Sequence, residues 1–72
     1  MEFIKDHSVL KYIPKQLHAS VIGCDKWRRY EGGWTYNVIF NDDDTSIMAD
    51  SVEGLKWACA QVIAGRKGLI YG

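Results

Sequence analysis

The segment WTYNVIF, from Trp34 to Phe40, places the strongest constraint on the fold. Its aromatic and β-branched residues alternate as they do in a half-buried strand. Turn signals flank it on both sides: Gly32 and Gly33 tolerate the positive φ of a two-residue hairpin turn, and a run of polar residues follows Phe40. The segment is therefore predicted to be the middle strand of an antiparallel sheet.

The two turns define the neighbouring strands. The first strand is predicted from about His18 to Glu31, and a shorter third strand from Thr45 to Ala49. Both turns then place apolar residues on one face, as a half-buried sheet requires. That face carries Val21, Trp27, Trp34, Tyr36, Val38, Phe40, Ile47 and Ala49. The outward face carries Cys24, Lys26, Arg28, Tyr30, Thr35, Asn37, Ser46 and Met48.

A helix is predicted from Asp50 to Gly65. Asp50 and Glu53 fit a capping box, in which each side chain satisfies a free backbone N–H of the first turn. Apolar residues recur at helical spacing and share one face: Val52, Leu55, Cys59, Val62 and Ile63. Gly65 suits the left-handed position that ends a helix, and the cations of Arg66 and Lys67 favour the carboxyl end of the helix dipole.

These elements predict an α+β fold in which a three-stranded antiparallel sheet is packed on one face by a C-terminal helix (βββα). The chain is long enough for a single domain, which we divide into an N-terminal appendage, residues 1–17, and the βββα domain, residues 18–72. The tail from Leu69 to Tyr71 could pair as a short fourth strand.

Two arrangements are open for the appendage. Val9, Leu10 and Ile13 fit a short helical turn that is capped by Asp6 or Ser8 and stops before a proline. The same segment could instead form an extra edge strand.

Composition restricts the class of protein. Nine basic and nine acidic residues cancel, so the charge favours neither nucleic acid nor an anionic membrane as partner. Two cysteines are too few for a secreted disulfide scaffold. The N-terminus carries charges where a signal peptide is apolar, and no stretch approaches the about 20 apolar residues of a membrane helix. We expect a cytoplasmic protein with reduced thiols and no membrane partner.

Motifs for metal binding and catalysis fail on inspection. Six residues fall on the ligand positions of an EF-hand loop, but Ile47 stands where that loop needs glycine. Neither the histidine nor the cysteine spacing fits a zinc site. Cys59 lies on the apolar helix face and is predicted to be core. No phosphate loop, nucleophile elbow or catalytic carboxylate pair is present. We expect no metal, no cofactor, no small-molecule substrate and no enzymatic activity.

The back of the helix is the first candidate contact surface. Trp57 lies opposite the apolar stripe, among the small or uncharged residues Gln61, Ala60 and Ala64, as interface hot spots do. The alternative is that residues 3–13 fold back and cover it. The acidic turn, Asp42, Asp43 and Asp44, could engage a basic groove and raise the association rate. The preferred function is a non-enzymatic protein-binding module that inhibits or regulates a larger protein, with self-association as a further option.

The outward sheet face is the second candidate surface. Lys26, Arg28, Tyr30, Thr35 and Asn37 could contact a phosphate backbone or a major groove. The element order resembles the DNA-binding domains of a class of plant transcription factors and the arm-binding domains of phage-type integrases, which implies DNA as the alternative partner. In its length and lack of catalytic residues the chain also looks like small phage or mobile-element proteins that block host enzymes.

Overall fold

The computed structural model describes residues 4–42, 45–66 and 68–72. In chain order the elements are α1 (His7–Leu10), α2 (Lys15–His18), β1 (Val21–Arg28), β2 (Trp34–Phe40), β3 (Thr45–Ala49), α3 (Val52–Ile63) and β4 (Gly68–Tyr71). The four strands form one sheet in the order β1-β2-β3-β4. The first three pair antiparallel, and β4 pairs parallel with β3. The predicted α+β fold is confirmed, with the fourth strand present.

The pairing of β2 with β3 follows the predicted register. Val38 lies opposite Ile47 and Tyr36 opposite Ala49. All four side chains are buried in the core, because this face of the sheet lies under the helices.

The predicted register of β1 against β2 is wrong. Arg28, not Glu31, lies opposite Trp34, so the hairpin loop spans residues 29–33. The Arg29 N–H donates to the Gly33 carbonyl and the Gly32 N–H to the Arg29 carbonyl, both at 3.0 Å. Because the side-chain period of a strand is two, this odd shift moves neighbouring side chains to the opposite face.

Three consequences of the shift correct the face assignments. Trp27 leaves the core face and is exposed, while Cys24 is buried in the core. Lys26 lies opposite Tyr36 and therefore on the core face, whereas it was predicted on the outward face. Val21 stays in the core as predicted, because an irregularity between Val21 and Gly23 shifts the register back, as a β-bulge does.

The N-cap of helix α3 lies one residue later than predicted. Ser51 is the N-cap, and its hydroxyl accepts the Gly54 N–H at 3.0 Å. Asp50 instead pairs with Arg29, at 3.2 Å from Nη1 to Oδ1. The predicted end is confirmed: Gly65 has φ +86°, and the Arg66 N–H reaches the Gln61 carbonyl at 3.0 Å in a Schellman motif.

Residues 4–20 are folded onto the sheet. Asp6 caps α1 by accepting from the Ser8 N–H at 2.9 Å, which confirms the capped helical turn. Lys5 also bridges to Cys24 in a parallel sense, so a trace of the edge-strand alternative is present. A second helical turn, α2, includes His18 and delays the first strand to Val21.

The core lies between one face of the sheet and the helices. It joins Val9, Ile13 and Leu17 of the N-terminal segment to Val38 and Ile47 of the sheet. Helix α3 adds Leu55, Ala58 and Cys59; Val52 and Val62 are partly buried, and the predicted core residue Ile63 is exposed. Within residues 4–42, 45–66 and 68–72, no helix has the length and apolar character to span a bilayer.

Candidate functional site

The sheet face turned away from the helices carries a row of apolar side chains. The register places these residues on one side: Trp27 of β1, Ile39 of β2, Met48 of β3, and Leu69 and Tyr71 of β4. None of them belongs to the hydrophobic core. We call this surface, together with Asp25, Asn37 and Ser46 between them, the open sheet face.

The side chains of the open sheet face reach solvent. Leu69 is 70% exposed, Tyr71 63% and Trp27 44%, while Ile39 and Met48 are half-buried by their neighbours. An antiparallel sheet with one solvated face normally alternates apolar residues inside with polar residues outside. Exposed apolar residues that include aromatic rings and methionine are typical of binding surfaces.

Asp25 gives the open sheet face a polar anchor. It lies opposite Asn37, next to Trp27 on the same strand. Its Oδ1 atom is shielded from solvent, and it accepts no hydrogen bond from the part of the chain that the structure describes. A buried acceptor without a donor costs about 1–3 kcal/mol, so Asp25 is a polar side chain whose hydrogen bonding within the described chain is incomplete.

Thr35 and Asp50 close one end of this face. The buried Thr35 hydroxyl donates to Asp50 Oδ1 at 3.4 Å, and Arg29 pairs with the same oxygen at 3.2 Å. These contacts hold the hairpin loop against the segment between β3 and α3.

Trp57 lies on the exposed side of α3, with 50% of its surface accessible. Ala60 and Ala64 beside it are exposed, and Gln61 is half-buried. The described part of the N-terminal segment buries Val9 in the main core instead of forming a second core over Trp57. Trp57 is therefore accessible to a partner, on the opposite side of the sheet from the open sheet face.

The acidic turn is only partly described. Asp43 and Asp44 lie outside the described residues. The Asp42 carbonyl accepts the Thr45 N–H at 3.0 Å. Asp42 also lines a surface cavity of about 210 Å³, together with Leu17, Ser20, Phe40, Asn41, Thr45, Val62, Gly65 and Arg66. That volume is below the about 300–1,000 Å³ of typical small-molecule pockets.

The structure separates the five residues of the predicted DNA-binding face. Lys26 and Arg28 share the core side with Tyr36 and Trp34, whereas Thr35 and Asn37 point to the open sheet face. Tyr30 lies outside β1, in the hairpin loop. A common outward basic face is not formed, because the loop of residues 29–33 is longer than the predicted two-residue turn.

The two thiols are buried in the core. Burial raises the pKa of the Cys59 thiol to about 11, and it also raises the pKa of the Cys24 thiol, whose S–H donates to the Asp6 carbonyl at 3.5 Å. A thiol held protonated is a poor nucleophile. The described residues also bring together no group of three or more histidine, cysteine or acidic side chains that could hold a metal ion.

Comparison with protein-family models, with curated proteins and with solved structures finds no match. The open sheet face is a candidate surface that the sequence patterns did not predict. Its signal was present in Ile39 and Met48, two apolar residues at outward positions of predicted strands. The fourth strand extends this pair with Leu69 and Tyr71, which lie opposite Ser46 and Met48.

Proposed function

We propose that this chain is a non-enzymatic binding module that recognises a larger protein through its open sheet face and thereby regulates or inhibits it. The observation that carries the proposal is a group of apolar side chains on this face that no other described residue is known to cover. Ile39, Met48, Leu69 and Tyr71 are neighbours across β2, β3 and β4, and Trp27 is exposed on the same face beyond Thr35 and Asn37. Burial of such a row is favourable by roughly 25 cal/mol for each Å² removed from water.

The dimensions of the face favour an amphipathic helix as its occupant. Four strands at about 4.8 Å spacing make a surface about 19 Å wide. On the other side of the same sheet, the 12 residues of α3 span about 18 Å at 1.5 Å each. A partner helix of about three turns would cover the open sheet face as α3 covers the core face.

Size argues against a second copy of this chain as the occupant. A sheet about 19 Å wide and about 20 Å long offers about 400 Å² of flat area, half of the about 800 Å² that each partner contributes to a standard interface. A helix that belongs to a larger protein can add contacts around the rim, which a flat sheet-to-sheet pairing cannot.

Asp25 adds a chemical requirement to the partner. A lysine or arginine among the apolar residues of the partner helix would pair with the carboxylate of the half-buried Asp25. Hydrogen bonds to a charged partner are about twice as strong as neutral ones, and they fix the register of an interface. The expected partner segment is therefore apolar along one stripe with a single cation within it.

Trp57 is the alternative contact. It is half exposed on α3, among small neighbours. If it carries the interface, Trp57→Ala should weaken binding by more than about 2 kcal/mol and leave the fold intact. Because the two surfaces lie on opposite sides of the sheet, one set of variants separates them.

The test uses a displayed library of helical peptides selected on the wild-type protein, followed by titration of synthetic winners. We expect amphipathic peptides with one lysine or arginine. Tyr71→Ser and Leu69→Ser should each weaken binding at least about tenfold, whereas the matched exposed controls Trp57→Ala and Ile63→Ser should not. Asp25→Asn should selectively weaken cation-bearing peptides.

Two results would contradict the proposal. If binding is lost in Trp57→Ala and kept in Tyr71→Ser, the interface lies on α3. If substitutions in the open sheet face change the affinity of none of the selected peptides, the open sheet face does not recognise helices.

A further inference from the structure

The loop end of the β1–β2 hairpin brings together cations and aromatic rings. Lys26 Nζ lies 4.8 Å from the centroid of the Trp34 ring, and Arg28 Cζ lies 5.9 Å from it. Both distances are within cation–π range, so the ring holds the two charges in place. Trp34 itself is 39% exposed, beyond the area that the helices cover.

These two cations are not neutralised by acidic partners in the described part of the chain. The salt bridges found there both belong to Arg29, which pairs with Asp50 at 3.2 Å and with Glu31 at 3.9 Å. Lys26 and Arg28 have donors left for a ligand. Hydrogen bonds from Ser8 are the main reason that the pKa of Asp6 is lowered, and the positive charge of Lys26 makes a smaller contribution.

Tyr30 adds a second ring at the tip of the hairpin. It is fully exposed to solvent. The loop that carries it is tied down by Arg29, whose Nε donates to the Gly32 carbonyl at 3.2 Å while its guanidinium pairs with Asp50. An aromatic ring on an anchored loop loses little conformational freedom when a ligand stacks on it.

We propose that this hairpin cluster, Lys26, Arg28, Tyr30 and Trp34, binds single-stranded nucleic acid. Every base has a π face that can stack on an aromatic side chain, and a positively charged surface beside the rings attracts the backbone phosphates. In a duplex the bases are already stacked on each other, so exposed rings add little there. The balanced charge of the whole chain, nine basic and nine acidic residues, is compatible with a local site of this kind.

The hairpin cluster is distinct from the surface proposed for protein binding. Lys26 and Arg28 lie on the side of β1 opposite to Trp27 and Asp25, because neighbouring strand residues alternate. Variants of the hairpin cluster should therefore leave peptide binding at the open sheet face unchanged, and the two proposals can fail separately.

The experiment is a fluorescence anisotropy titration of a labelled 15-nucleotide thymidine strand at several salt concentrations. Lys26→Ala and Arg28→Ala should each weaken binding and reduce the salt slope by about 0.7. Tyr30→Ala should weaken binding about 5- to 150-fold with the slope unchanged, because it removes stacking and no charge. The matched controls are Lys15→Ala, an exposed cation on α2, and Trp57→Ala; neither should change the affinity.

Two outcomes would overturn the proposal. One is the absence of binding at low salt, where electrostatic attraction is strongest. The other is a labelled duplex of the same length that binds as tightly as the single strand, with an affinity that Tyr30→Ala does not alter; that result would mean unspecific attraction to phosphates. Far-UV circular dichroism and thermal melts of every variant verify that the fold is retained.

Discussion

Alanine substitutions at two neighbouring residues of β3 test how differently the two sheet faces are packed. Ile47 is fully buried in the core, and Met48 lies on the open sheet face, half-buried by its strand neighbours. Ile47→Ala removes core methyl groups and leaves a cavity, which costs about 2–5 kcal/mol. Met48→Ala removes a side chain over which no second layer of the described residues packs, so its expected cost is below about 1 kcal/mol.

These differences are large against the total stability. At about 0.05–0.15 kcal/mol per residue, a domain of 72 residues is stable by about 4–11 kcal/mol. Urea unfolding followed by circular dichroism gives both free energies from the midpoint and slope. If Ile47→Ala does not fold, Ile47→Val, with an expected loss of about 0.5–1.5 kcal/mol, replaces it. Equal losses for Met48→Ala and Ile47→Ala would refute the assignment of an uncovered face.

Three further predictions concern α3. Gly65→Ala should lower the free energy of unfolding by about 1–2 kcal/mol, because Gly65 has φ +86° and a side chain there is strained; a neutral effect in urea unfolding would argue against the left-handed helix end. Gly54→Ala should destabilise the protein in a thermal melt although alanine favours helices, because its Cβ would lie 2.5 Å from the Gly72 backbone; stabilisation would show that this approach is not tight. Burial raises the pKa of Cys59 from 9.0 to about 11, so the folded state favours the protonated thiol. The contribution of this thiol to stability should be constant below about pH 9 and should fall as the pH rises towards 11. Cys59→Ala should lose that part of the alkaline decline, and an identical decline in this variant would contradict the assignment.

Local signals were sufficient for the central strands. The alternation from Trp34 to Phe40, with a polar turn behind it, predicted β2, β3 and their register, because adjacent strands joined by a tight turn have few alternative pairings. Gly65 likewise predicted the end of α3, since a Schellman motif needs a left-handed residue and glycine adopts that conformation without a steric penalty.

Contacts distant in sequence decided what the pattern could not. Gly32 and Gly33 are compatible both with a two-residue turn and with a longer loop. The structure has the longer loop, in which Arg29 pairs with Asp50, a residue that follows β3. The same contact takes Asp50 away from the predicted cap, which passes to Ser51. Because Trp27 changed faces with this loop, the open sheet face could not be recognised before the β1 register was known.

The most direct test of the open sheet face is an NMR titration that follows the indole N–H signals of the three tryptophans, Trp27, Trp34 and Trp57, as a selected amphipathic peptide is added. Trp27 lies on the open sheet face and Trp57 on α3, so each signal reports one surface. The proposal predicts that the Trp27 signal shifts in proportion to saturation while the Trp57 signal stays in place. A shift of Trp57 with Trp27 unchanged would contradict it and assign the interface to the helix.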